Sequence, residues 1–168
     1  FFNDSFYKRI LKKKKNKLLI NQYKKLKQYQ KKIKFVYQNK PKGTGDAILK
    51  CQKYLKGKYF MILLPDDLII KKNCTKEMLK LHNISKNSVI ATKKINKKHV
   101  SRWGILEVKN KKNNYFTISN VVEKPSKKNA PSNYAIIGRY ILPTKIIDEI
   151  KILKPGKGGE IHITDAIK

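Results

Sequence analysis

The sequence has 168 residues, a mass of 19.6 kDa, and 41 basic against 11 acidic side chains, for a formal charge of +30. That length suits one domain, and 40% hydrophobic content with 10% aromatics is enough to bury a core, which excludes a wholly disordered chain. No apolar run approaches the ~20 residues that cross a bilayer, and Phe1-Phe2-Asn3-Asp4 lacks a signal-peptide pattern. Cys51 and Cys74 are by themselves too few for a disulfide framework or a four-ligand zinc site, so a cytoplasmic location is expected.

Asp4 and Ser5 are helix-start residues. Beyond them Phe6, Ile10, Leu18, Leu19, Tyr23, Leu26, Tyr29 and Ile33 recur at helical spacing, predicting two helices broken near Asn16. Residues 34–38 (KFVYQ) predict a short strand, and 39–46, with Pro41, Gly43 and Gly45, a polar turn. A helix is expected over 47–55, stopping before Gly57. A buried strand follows over 59–64 and ends at Pro65-Asp66-Asp67. Thr75 is the expected cap of a helix carrying Met78, Leu79 and His82, and 88–95 reads as another strand. Residues 105–108 and 115–122 predict a hairpin across the Asn/Lys turn at 110–114. A strand over 134–142 comes next, then a helix capped by Thr144 and closed by Pro155-Gly156, and Thr164-Asp165 opens a last helix. Strands and helices alternate first and a hairpin intrudes later, which predicts an α/β chain with a mixed, mostly parallel sheet flanked by helices. No repeat or linker divides residues 1–168, which read as a single domain, partial at both ends: there is no initiator Met and the last helix is barely begun.

The charge first suggests nucleic acid. Its makeup argues otherwise, because the basic residues are 38 Lys and only 3 Arg, spread along the whole chain, and base readout leans on the Arg fork. With 22 Ile and 14 Asn, this is the mark of a compositional bias, and Lys12-Lys13-Lys14-Lys15 reads as a solvated helix face. The few acids are then the informative residues: Asp66, Asp67, Glu123, Glu160 and Asp165 stand at element ends beside Gly or Pro.

Lys42-Gly43-Thr44-Gly45-Asp46-Ala47 is a glycine turn between a strand and a helix, either an ordinary βα turn or a place where a flat ligand or a phosphate meets bare backbone. Gln38 before it carries a donor and an acceptor on one amide, the pair that reads a pyrimidine's carbonyl and imide N–H. Asp66 ends a buried strand, where open α/β sheets bind ligands, and a hard carboxylate there suits Mg²⁺; Asp67 is assigned to capping or support. Glu123 suits sugar hydroxyls and Lys124 a phosphate, yet neighbours on a regular strand face opposite sides. Pro125 is expected to hold Lys124 extended. Trp103-Gly104 is either a packed Trp beside a bulge or an opening for substrate, and Gly158-Gly159-Glu160 either a flexible approach with one carboxylate or a plain loop. His82, His162 and Cys51 lack partners at motif spacing and read as structural.

Taken in order, FFNDSF, Gln38, KGTGDA, LLPDDLI, SRWGIL, VVEKP, APSNYAIIGRYIL and KPGKGGEIHITDAI resemble the bacterial UTP–glucose-1-phosphate uridylyltransferases. The resemblance implies a three-layer α/β/α, Rossmann-like nucleotidyltransferase fold. It also implies UTP and glucose 1-phosphate as substrates, UDP-glucose and pyrophosphate as products, in-line Mg²⁺-assisted attack on the α-phosphate, no nucleic-acid or membrane partner, and a homo-oligomer at full length. Carried over by position, Gln38, Gly43 and Gly45 would hold the uracil, Asp66 the Mg²⁺, and Gly104, Glu123 and Gly138 the glucose. Lys124 would hold the glucose phosphate, with Glu160 a further sugar-side contact. Asp46 stands where His is usual and Lys42 where Leu is common. The family's Gly/Arg-rich triphosphate loop would precede Phe1 and a second metal-binding Asp would follow Lys168, so the 168 residues alone are expected to lack useful turnover. Rival readings are a thymidylyl- or guanylyltransferase, because a Gln reads uracil and thymine alike, a basic nucleic-acid-binding module, or an inactive partial gene product.

Overall fold

A computed structural model describes residues 4–14, 16–70, 72–112 and 114–167. Phe1-Phe2-Asn3 of the first matching segment, Lys15 of the lysine run and Asn113 of the hairpin turn lie outside the described residues. The chain divides into two compact units, Phe1–Val36 and Tyr37–Lys168.

The first unit carries helices α1 (Asp4–Lys14) and α2 (Lys17–Gln30). Their break falls at Asn16, as expected, because its side chain accepts from the N–H groups of Leu18 and Leu19 at 3.0 and 3.2 Å and so satisfies two donors of the new helix start. Residues 34–38 do not form the expected strand. They have no ladder partner among the described residues, and Phe35 and Tyr37 are 63% and 82% exposed, so the apolar pattern there packs against no sheet.

In the second unit, helix α3 (Thr44–Lys50) begins inside the predicted turn, three residues early, with Gly43 as its N-cap at φ +94°. Strand β1 (Tyr59–Leu63), helix α4 (Cys74–Ser85) and strand β2 (Val89–Lys94) follow. Asn73, not Thr75, caps α4: its Oδ1 accepts from Lys76 N–H at 3.0 Å. The hairpin of β3 (Gly104–Lys109) and β4 (Thr117–Glu123) is present, and strand β5 (Tyr134–Pro143) runs after it. Helices α5 (Ile146–Ile152) and α6 (Ile163–Ala166) complete the unit. Thr144 does not cap α5; its hydroxyl donates to Gly57 O instead.

The sheet order is β1-β5-β3-β4, with β2 on β5, and every described ladder is antiparallel. The mostly parallel sheet expected from sequence is therefore not what the described strands form. The physical reason is the position of β5. Strands β1 and β2, joined through α4, run in the same direction, but Ile141 of β5 pairs with Met61 on one side and Val89 on the other, so the two never meet. The α/β layering itself holds. Side chains alternate across β5: Tyr140 and Leu142 pack with Ile48, Ile147, Ile150 and Ile163 from α3, α5 and α6, while Ile141 packs with Met78 of α4. Ile150 and Leu106 are fully buried, each contributing about 2 kcal/mol of transfer free energy.

Candidate active site

The hairpin end builds the first part of the site. Gly104 stands directly across the ladder from Glu123. Thr164, on α6, donates its hydroxyl to Glu123 Oε2 at 2.8 Å, which fixes that carboxylate. A Cβ on Gly104 would lie 3.0 Å from Thr164 Cγ2 and 3.1 Å from Glu123 Oε2, so the glycine preserves room for this pair.

Lys124 resolves the strand-geometry problem. Its φ is +44°, in the left-handed region that L residues rarely adopt, and its N–H donates to Trp103 O at 3.0 Å. The extended backbone expected from Pro125 is thus not adopted, because the bond to Trp103 and the buried Pro125 hold the chain in a turn. Departure from the pleat swings the Lys124 side chain toward that of Glu123, and Nζ lies 4.0 Å from Oε1. An acid and a base adjacent in sequence consequently face one side.

The turn after β1 builds the second part. Asp66 is exposed and Asp67 half-buried. Leu64 N–H donates to Gly138 O at 2.8 Å, and the Arg139 guanidinium gathers the carbonyls of Leu64, Gly138 and Asp67, so the whole turn is fastened to β5. Gly138 has φ +53°, and a Cβ there would stand 2.7 Å from Asp67 Oδ2 and 2.8 Å from Leu64 Cβ. Burial first, and then Asp66, push the Asp67 carboxyl up from its ordinary value, against the opposing charges of Arg139 and Lys93. Tyr140 follows Arg139 on β5 and is buried. Burial raises its phenol well above the usual range, and the carboxylates of Glu123, Asp67 and Asp66 all push it the same way.

The glycine turn meets protein. A Cβ on Gly43 would come within 2.5 Å of Ile161 O, and one on Gly45 within 2.7 Å of Ile161 Cγ2. Ile161 N–H donates to Lys42 O and Gly45 N–H to Ile161 O, both at 2.8 Å, and Ile163 N–H donates to Thr44 Oγ1 at 3.1 Å. Residues 160–163 are thereby clasped to the turn. Glu160 sits beside Gly43, its Oε2 3.9 Å from His162 Nδ1, and it is Thr164, four residues on, that reaches Glu123. Gln38 closes the turn from the other side. Its Nε2 donates to Asp46 Oδ2 at 2.6 Å and to Gly43 O at 3.2 Å.

His82, read as structural, and Trp103, left open between a packed side chain and an opening for substrate, both have partners inside the protein. His82 Nδ1 lies 2.7 Å from Asn87 O and its ring meets Tyr59 edge-on, and Trp103 packs with Val100, Ile105 and Ala135. Burial and Glu77 raise the Cys74 thiol, opposite to what a nucleophile requires. Among the described residues no three His, Cys, Asp or Glu side chains gather as a metal cage, and no helix is long and apolar enough to cross a membrane. Sequence reasoning missed Arg139, Tyr140 and Thr164. Arg139 carried a signal: in a chain where Lys fills most basic positions, an Arg marks a site that needs a planar fork.

The described residues thus bring a carboxylate turn fastened to a central strand, a glycine turn under a clasp and an acid–base pair at a hairpin end into one unit. Residues 3–168 match the nucleotidyl transferase family, and the chain belongs to it. The chain is similar to the UTP–glucose-1-phosphate uridylyltransferase of Pseudomonas aeruginosa, 39% identical over 129 residues covering 75% of this chain and 46% of the relative. It is also similar to a UDP-glucose pyrophosphorylase solved with UDP-glucose (TM-score 0.76, 36% identity, 80% of this chain and 52% of that one). A UTP-bound UDP-glucose pyrophosphorylase from Acinetobacter baumannii gives TM-score 0.73 at 28% identity, over 99% of this chain and 58% of that one. The chain thus spans about half the length of the curated relatives it matches.

Proposed function

We propose that this chain carries the sugar-phosphate and uracil sides of a UTP–glucose-1-phosphate uridylyltransferase site, making UDP-glucose and pyrophosphate. The observation that carries the reading is the left-handed turn at Lys124, which sets its ammonium and the Glu123 carboxylate on one side, beside Gly104. Glu123, held through Oε2 by Thr164, accepts from glucose hydroxyls with Oε1. Lys124 neutralises the sugar phosphate. Gly104 leaves room for the Thr164–Glu123 pair and Gly138 for the Asp67 turn, Glu160 contributes from the clasp, and Gln38 holds the base beside the clasped Gly43/Gly45 turn.

A phosphate oxygen of glucose 1-phosphate attacks the α-phosphorus in line and pyrophosphate leaves, so these residues act by positioning and by charge, with no covalent intermediate. The donor set at the β1 turn fits Mg²⁺. Asp66 is exposed, its charge adds to the burial that raises Asp67, and one or two carboxylates with water and phosphate oxygens are what this ion prefers. Bound at Asp66, Mg²⁺ would supply charge neutralisation at the phosphates. The two free cysteines suit a reducing cytoplasm, and Leu68 and Ile70, 82% and 84% exposed, suit self-association.

The test is formation of UDP-glucose from UTP and glucose 1-phosphate by the protein at its full natural length, with kcat/KM falling about 100-fold in Glu123→Gln. No UDP-glucose, or faster turnover with dTTP, overturns the reading.

A further inference from the structure

The hydrogen bonds of Gln38 assign a role to Asp46. An ionised carboxylate and a backbone carbonyl can only accept, so the amide group that meets both Asp46 Oδ2, at 2.6 Å, and Gly43 O, at 3.2 Å, must be the NH₂. Both of its protons are then spent inside the protein. Oε1 is left with no partner among the described residues and is the only group Gln38 can offer a ligand. Asp46 is itself held. It is 8% exposed on α3, and its other oxygen, Oδ1, lies 3.7 Å from Lys50 Nζ one helical turn on.

We propose that Asp46 is a positioning residue that locks the Gln38 amide with its carbonyl outward, making Gln38 a pure acceptor that selects a base with an N–H at ring position 3. The inference rests on the uracil reading of Gln38 and sharpens it, since the donor-and-acceptor use expected from sequence is replaced by an acceptor alone. Uracil presents N3–H and fits. Cytosine presents an N3 lone pair, which faces the Gln38 oxygen and is repelled, so discrimination comes from a clash as well as from a bond. Thymine presents the same N3–H as uracil, and the lock does not separate the two.

Lys50 makes the isosteric variant informative. In Asp46→Asn the Asn oxygen turns toward Lys50 and its NH₂ faces Gln38, which favours a reversed amide with NH₂ outward against the remaining pull of Gly43 O, so both orientations are populated. Titration calorimetry of UDP and CDP against the full-length protein measures this. The wild type is expected to prefer UDP, and in Asp46→Asn the UDP-over-CDP preference falls about tenfold, partly through tighter CDP binding. In Asp46→Ala, which leaves Gly43 O as the one acceptor holding the amide, the preference falls less while CDP affinity holds. Thermal unfolding of each variant confirms the fold, and either one alone is decisive. UDP and CDP weakening by the same factor, or an unchanged ratio, overturns the lock and leaves Asp46 as support for the turn. A wild type that binds neither nucleotide overturns the functional reading itself.

Discussion

Lys124 carries the most conformational strain of the site, with φ +44° on a residue that has a Cβ. Such a position costs about 1–3 kcal/mol and persists because the neighbouring structure over-determines it, here through Trp103 O and buried Pro125. Lys124→Gly relieves that cost, so equilibrium urea unfolding should find the variant as stable as the wild type or about 1 kcal/mol more stable, while UDP-glucose affinity drops at least about tenfold. Loss of both stability and affinity would make Lys124 a framework residue. Asp67 supplies a pH test. Its carboxyl is raised above the ordinary value of 3.8, so the folded state holds the proton more tightly than the unfolded one, and ionisation costs stability as pH climbs through that value and beyond. Asp67→Asn should therefore melt higher than the wild type at pH 7 and no higher at pH 3. At this scale the sequence showed which residue types matter and not how they turn. EKP names an acid, a cation and a proline, but the left-handed φ that brings the first two together comes from a hydrogen bond to Trp103, twenty-one positions upstream. The Gln38–Asp46 bond likewise depends on how the turn folds back on itself.

Strand β5 is the element on which the site is assembled. It holds the β1 turn through Gly138 and Arg139. Arg139 reaches three carbonyls with one planar group, and a Lys ammonium cannot reproduce that fork. Arg139→Lys is expected to cost about 2 kcal/mol in urea unfolding. It should also speed hydrogen exchange at Leu64, whose N–H bonds Gly138 O, more than at Ile141 in the strand's centre. Equal loss at both would show that Arg139 supports the sheet and not the turn. Local pattern located β1, β2 and β5 to within a residue or two, because a strand's signal lies in its own alternation. It could not reveal that β5 slots between β1 and β2, since pairing order is settled by packing on both faces. Residues 34–38 failed for the converse reason: they have strand composition, and no partner strand among the described residues.

Across the whole molecule, a charge of +30 is spread over a nucleotidyl transferase fold whose site residues include only a few of the cations. What the site adds to that background is placement: one Lys made to face one Glu, and the turn that carries Asp66 and Asp67 fastened to β5 by its backbone. The central claim is spatial, that a cation bound at Asp66 and the Glu123-Lys124 turn share one ligand. Paramagnetic relaxation by Mn²⁺ in place of Mg²⁺, read on backbone amide resonances with UDP-glucose present, tests it directly. The account predicts strong broadening at Asp66, Glu123 and Lys124, lost in Asp66→Asn. Broadening at Asp66 with sharp resonances at Glu123 and Lys124 would contradict it.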